Sequence, residues 1–245
     1  MGRTMRAASH KATSYFAARQ DEPPSRTISS PRRLSREESQ RQTRARLIEV
    51  GRQHFLAYGL GGAVAEKIAE EAGYSRGALY SNFAGKEDLF VAVMQEEHQR
   101  YCELYKAIYR DNGDSEKMLQ ELRTTYIDML VNPEWVILWA EFQSEAVRNK
   151  EMQSRYRQFY HAMVQDSVNR LTEHIENGSL LCKMSPSNFV LAMSSFAHGL
   201  ALRQRVVGSQ PSERTTRKLI GEVFDTLIRT HAGEWKVDSH RPLNP

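Results

Sequence analysis

Residues 64–83 read VAEKIAEEAGYSRGALYSNF, and the rest of the chain can be placed outward from them. Ile68, Ala69 and Ala72 share one face of a short helix, and Gly73 ends it by taking a left-handed backbone that other residues resist. Ser75 is placed to cap a second short helix, with Tyr74 before the cap and Leu79 beyond it spaced to close as a hydrophobic staple. Leu79 and Phe83 anchor that helix from below. The outward residues are then Arg76, Gly77, Ala78, Tyr80, Ser81 and Asn82: a guanidinium, two residues with almost no bulk and three hydrogen-bonding groups. Such a surface suits close approach to a base-pair edge. Helix, glycine turn and second helix make a helix-turn-helix, whose second helix enters the DNA major groove.

The flanks extend the pattern. A helix is expected over 39–58, with Leu47, Val50, Gly51 and Phe55 inward and Arg41 and Arg44 at a basic start that can meet phosphate. The helix after Leu60-Gly61-Gly62 carries Lys67 on its outer face. Beyond Phe83, a turn at Ala84-Gly85 opens a further helix at Lys86-Glu87-Asp88, where free N–H groups and the Lys86 ammonium attract an anion.

Leu47-Ile48, Phe55, Gly59, Ile68-Ala69, Ala72-Gly73, Leu79-Tyr80, Phe83, Lys86-Glu87 and Leu89 together resemble the DNA-binding domain of TetR-type (tetracycline-repressor-like) transcriptional regulators. The resemblance covers roughly 50 residues at many spaced positions. Three positions depart from the family pattern: Gly51 where a small helix former is usual, His54 where leucine is usual, and Ala63 where a threonine usually caps the second helix and often touches phosphate. Gly62 is the expected substitute cap. The resemblance implies an all-α fold, with an N-terminal three-helix helix-turn-helix DNA-binding domain followed by a larger helical ligand-binding and dimerisation domain. It also implies a homodimer that represses transcription from a pseudo-palindromic double-stranded operator. In the DNA assignment, Arg76 reads a base edge, Gly77 and Ala78 permit approach, and Ser75, Tyr80, Ser81, Asn82, Lys86, Lys67, Arg41 and Arg44 line the contact.

Charge agrees with this polarity. The 245-residue chain is net +4, and Lys and Arg outnumber acids strongly over 1–46, which leaves a mildly acidic body behind a basic head. Residues 1–38, rich in Ser, Arg and Pro, read as a disordered basic tail; an organelle transit peptide or a start assigned too far upstream would give the same composition. The head is then 39–85, the regulatory and dimerisation body 86–232, and 233–245 a flexible tail. No apolar run approaches the roughly 20 residues of a membrane span, and two distant cysteines, Cys102 and Cys182, fit a reducing compartment. The expectation is a soluble, cytoplasmic protein without a membrane partner.

From Leu89 onward the pattern is helical, about nine helices in all, with no strand signal. Asn112-Gly113, Pro133, Gly178, Ser185-Pro186 and Ser212 mark the breaks. The last two helices are broadly apolar, and a pair from each of two chains makes a four-helix bundle. Phe189, Met193, Phe196, Leu200, Leu219, Val223 and Leu227 are the expected dimer face.

Half of the aromatic residues fall between Phe90 and Tyr160, which suits either a core or a cavity for a small apolar or aromatic effector. Trp139, Phe142, Tyr156 and Tyr160 are the expected ligand residues. His98 and Cys102 stand one turn apart, and Glu97, His161 or His174 could complete a metal shell, yet no Cys/His spacing of strong type supports one; neither metal nor cofactor is expected. There is no glycine-rich phosphate loop, G-x-S-x-G elbow or H-E-x-x-H pair, so no enzyme is expected. The competing reading is a helical interaction protein, or a non-specific DNA-binding protein without an effector.

Overall fold

The first helix sets the position of everything around the motif. The structure is a computed structural model that describes residues 35–111, 114–208 and 211–230; the expected tails over 1–34 and 231–245 and the break at Asn112-Gly113 lie outside them. Helix α1 (Arg36–Gly62) begins before the expected start at 39, inside the segment read as tail. Its start is fixed by a capping box: Ser35 Oγ accepts the Glu38 N–H at 3.1 Å, and the Glu38 carboxylate accepts the Ser35 N–H at 2.7 Å. Near its other end the helix kinks at Gly59, where φ is +67°. The Leu60 N–H, turned out of the helical ladder, donates to the Glu141 carboxylate at 2.8 Å.

Helices α2 (Ala65–Glu71) and α3 (Arg76–Asn82) follow, then α4 (Lys86–Asp111), α5 (Ser115–Val131), α6 (Pro133–Arg148), α7 (Lys150–Glu176), α8 (Pro186–Val207) and α9 (Glu213–Leu227). The nine helices among the described residues are stopped and started where side chains can do it. Asp114, Asn132, Asn149, Ser185 and Ser212 each accept backbone N–H groups at a helix start. One expectation needs correcting: the chain contains strands. β1 (Leu181–Cys182) and β2 (Ile228–Arg229) pair antiparallel, Leu181 opposite Arg229. They are two residues each, too short to leave an alternating pattern in sequence; they pair the extended backbone that follows α7 with that following α9.

Two cores form. The first joins α1, α2 and α3 to the start of α4, to α6 and to the first half of α7. Its spine is a run of rings meeting edge to face: Phe55 on Phe90 at 5.1 Å, Phe90 on Phe142 at 5.5 Å, and Phe142 on Tyr156 at 5.1 Å. The division expected at 85/86 therefore runs through continuous packing. Gly51 has its reason here, because a Cβ on it would stand 2.9 Å from Leu89 Cδ2; a side chain would force α1 and α4 apart. His54, the other departure in α1, is buried and its Nε2 meets the Glu71 carboxylate at 2.9 Å.

The second core lies farther from α3, among α5, α8, α9 and the far ends of α4 and α7. It corrects part of the expected dimer face. Phe189 is 6% exposed and Met193 is fully buried, so both are covered by their own protomer. Helix α8 is apolar on more than one side, and periodicity alone does not choose which side turns inward. Phe196 and Leu219 are exposed, and Leu200, Val223 and Leu227 are half-buried. Among the described residues no helix is long and apolar enough to cross a membrane.

Candidate nucleic-acid interface

Helix α3 is a seven-residue element held from one side. Gly73, at φ +81°, turns the chain after α2, and Ser75 Oγ accepts the Ala78 N–H at 3.2 Å to start α3. Leu79 and Phe83 are buried beneath it, which leaves Arg76, Gly77, Tyr80 and Ser81 exposed and Ala78 and Asn82 at the edge. The Arg76 side chain, 68% exposed, ion-pairs with Glu66 of α2 at 3.1 Å and lies over the Tyr80 ring. Exposed pairs of this kind contribute about 0–1 kcal/mol, so the guanidinium is available to a better acceptor.

The remaining expected contact residues divide by what already holds them. Arg41 and Lys67 are exposed at the rim. Arg44 instead reaches across to α3, donating to the Asn82 carbonyl at 3.0 Å with its guanidinium over the Phe83 ring. Lys86 folds back onto the end of α1, its Nζ 3.3 Å from the Gly61 carbonyl and 3.2 Å from that of Ala63. It neutralises the negative end of that helix, as a lysine near free carbonyls should. Ser81 and Asn82 both donate to the Ala78 carbonyl, at 2.9 and 2.8 Å, and Ser75 is occupied as the cap. Val64, not Gly62, stands at the start of α2, and no side chain caps it.

The body holds two cavities that share the wall made by Ser194 and His198. One, of about 120 Å³, is lined mainly by apolar and aromatic groups, among them Tyr105, Tyr109, Tyr126, Met129 and Trp135, with Arg170 as its charged member. The other, of about 330 Å³, has a more polar edge and is lined by Trp139, Tyr156 and Tyr160, three of the four expected ligand residues. Phe142 is fully buried in the first core and lines neither. His198 accepts the Trp135 indole N–H at 3.3 Å through Nε2 and stacks on Trp139 at 4.9 Å. Burial pushes its pKa down to about 4, so it is a neutral acceptor near neutral pH. Burial likewise raises the Tyr126 and Tyr105 hydroxyls well above the usual tyrosine value. Both remain protonated donors facing the smaller cavity. Tyr105, Tyr126 and His198 escaped the sequence reading because they stand on three different helices, α4, α5 and α8, that no local spacing connects.

Residues 47–93 match the model of the bacterial regulatory proteins of the tetR family. The transcriptional repressor AcnR of Corynebacterium diphtheriae is 33% identical over 91 residues, 37% of this chain and 42% of that protein. The regulator TtgR of Pseudomonas putida is 36% identical over 75 residues, 31% of this chain and 35% of its own. The chain thus matches less than half the length of these relatives. Among solved structures, a TetR transcription regulator from Haloarcula marismortui superposes with a TM-score of 0.62 at 17% identity, covering 77% of this chain and 100% of that one. The fatty acid degradation regulator FadR from Bacillus halodurans gives 0.59 at 15%, covering 79% and 96%. Those two likenesses extend the common fold through the body. Residues 47–93 are thus similar in sequence to the tetR family of bacterial regulatory proteins, and the nine-helix layout of the described residues shares the fold of these solved structures.

Proposed function

We propose that this protein is a sequence-specific DNA-binding transcriptional regulator, a cytoplasmic homodimer that represses from a pseudo-palindromic operator and releases it when a small apolar or aromatic effector binds. The observation that carries this is the exposed start of α3: Arg76, Gly77, Tyr80 and Ser81 stand clear of the core, and Arg41 of α1 and Lys67 of α2 are exposed as well. Arg76 offers two parallel N–H donors to a guanine edge, while Tyr80, Ser81 and the rim cations position the backbone.

One seven-residue helix reads few base pairs, so selectivity calls for two copies. Phe196, Leu202 and Val206 of α8 and Leu219 of α9 are exposed apolar residues, and a two-fold partner covers them with its own copies. The two copies of α3 then address half-sites about 34 Å apart or a multiple of it. The effector reading rests on the cavities, whose aromatic walls suit a flat apolar ligand and whose tyrosine hydroxyls offer it hydrogen bonds. A ligand that fits only one spacing of the two heads shifts DNA affinity by about 1–3 kcal/mol of coupling.

Selecting bound duplexes from a random pool at fixed salt tests the reading. A palindromic consensus is expected, and Arg76→Ala should lose about 1–3 kcal/mol of discrimination at one base pair of each half-site. Lys67→Ala should instead weaken all sequences alike and reduce the salt slope by about 1 per site. Equal affinity for scrambled duplexes would reject the operator reading in favour of a general DNA or protein surface.

A further inference from the structure

Midway along α4 and α7, three donors of different chemistry converge. His98 and Cys102 stand one turn apart on α4, and Asp166 reaches them from α7. Cys102 Sγ lies 3.5 Å from His98 Nε2 and 3.4 Å from Asp166 Oδ2, and all three donor atoms lie within 4.8 Å of one another. On a tetrahedral Zn²⁺, with Zn–S about 2.3 Å and Zn–N or Zn–O about 2.0–2.1 Å, each sulfur-to-ligand edge comes to about 3.5 Å. The sulfur edges here already have that length. The other groups near in sequence are taken elsewhere: Glu97 pairs with Arg52 and Arg100, His161 is exposed, and His174 stacks on Tyr109.

We propose that His98, Cys102 and Asp166 form a binding site for a zinc-type transition-metal dication, with one coordination position left to an outside ligand. A thiolate and an imidazole favour Zn²⁺ or Co²⁺ over Mg²⁺ and Ca²⁺, which demand oxygen shells. Three protein ligands plus one open position is the arrangement of zinc sites that accept a further ligand. His98 also lines the smaller cavity, so the ion would sit at that cavity's wall.

Charge closes without a co-reactant. At present the Asp166 carboxylate is paired with the Arg170 guanidinium, which also lies over the Tyr105 ring at 5.7 Å. A dication displaces that guanidinium as the partner of Asp166, and the Cys102 thiol gives its proton to buffer, leaving M²⁺ balanced by one thiolate and one carboxylate. Arg170 lies along the cavity wall and stays against Tyr105 once released. The bound ion also ties α4, whose first residues pack in the same core as α1 to α3, to α7.

Cobalt(II) titrated into the metal-free full chain tests the site. A thiolate-to-cobalt charge-transfer band with the visible bands of four-coordinate cobalt should saturate at one ion per chain, with one proton released and Zn²⁺ displacing the cobalt. Cys102→Ser should abolish the charge-transfer band, and Cys182→Ser should leave it intact. His98→Gln and Asp166→Asn should each weaken binding by more than the roughly 10–100-fold typical of losing a mere second-layer partner. Arg170→Gln should tighten it, since the competing cation is gone; this variant keeps all three ligands and settles the matter should a ligand variant fail to fold. No band in the natural chain, a band that survives Cys102→Ser, or weaker binding in Arg170→Gln would overturn the proposal. None of these measurements involves DNA, so they stand apart from operator binding.

Discussion

Around Phe90 the rings of the first core meet edge to face with no space between them, whereas around Tyr126 in the distal half the rings line empty volume. Both regions are aromatic, and both are built on the same long helices, α4 and α7. The difference lies in what shares the space. Near the head, α1 and α3 supply Phe55, Leu79 and Phe83 around Phe90, and this core opens onto the larger cavity at its other side, at Trp139 and Tyr156. In the distal half the partners are α5, α8 and α9, and they leave a cavity. A filled interior moves as a block, so displacement at one end reaches the other; an open one has room to receive something. Position relative to α3, more than composition, separates the two roles.

This contrast can be broken experimentally, and the largest effect should come from the filled side. Phe90→Ala should cost about 3–5 kcal/mol in urea denaturation, because the cavity it leaves is walled by rings that cannot collapse. A loss near 1 kcal/mol would mean that this core is no tighter than the other. On the shared wall, His198 should make stability pH-dependent. Its folded pKa is depressed to about 4, so its contribution is complete above the unfolded value near 6.5 and falls away as pH drops from there to about 4, by up to about 3 kcal/mol. The denaturation midpoint of His198→Leu should show a flatter slope across that interval than the natural chain does.

Where head meets body, Gly59→Ala should cost about 1–3 kcal/mol, since φ there is +67° and the added methyl would stand 2.8 Å from Glu141 Oε1. Thermal melting would read this, and an unchanged melting temperature would show that the kink is not held by Glu141. The smallest change belongs to the open side. Tyr126→Phe should alter stability by less than about 0.5 kcal/mol, because the side chain lines the cavity and the substitution removes no buried apolar contact. A cost as large as that of Phe90→Ala would erase the distinction between the two halves.

What the sequence disclosed followed range of interaction. Gly73, Ser75, Leu79 and Phe83 act within a few residues of themselves, so the whole motif could be placed from spacing, and the caps at Ser185 and Ser212 behaved in the same way. The box formed by Ser35 and Glu38 was equally local, but the basic, Pro-rich composition of 1–38 outweighed it. Long-range choices were hidden. Lys86 has a free-looking ammonium in sequence and two carbonyls of α1 beneath it in space. Arg44 likewise becomes a strut between α1 and α3. Asp166 lies 64 residues from Cys102, and nothing around either one foretells the other. On α8, apolar residues all round left Phe189 and Met193 equally fit for an outer or an inner face; only the packing of α5 and α9 decided it.

The pairing of Arg76 with Glu66 carries a further consequence for any duplex the head meets. The arginine gives up a resting partner only where a base offers it something stronger, so on an unrelated sequence it gains little by leaving. In the proposed complex the Glu66 carboxylate would lose this cation when Arg76 turns to a base. In that proposal one carboxylate sets the threshold that a base edge must exceed before Arg76 leaves it, so specificity would be tuned by a residue that makes no contact of its own to DNA.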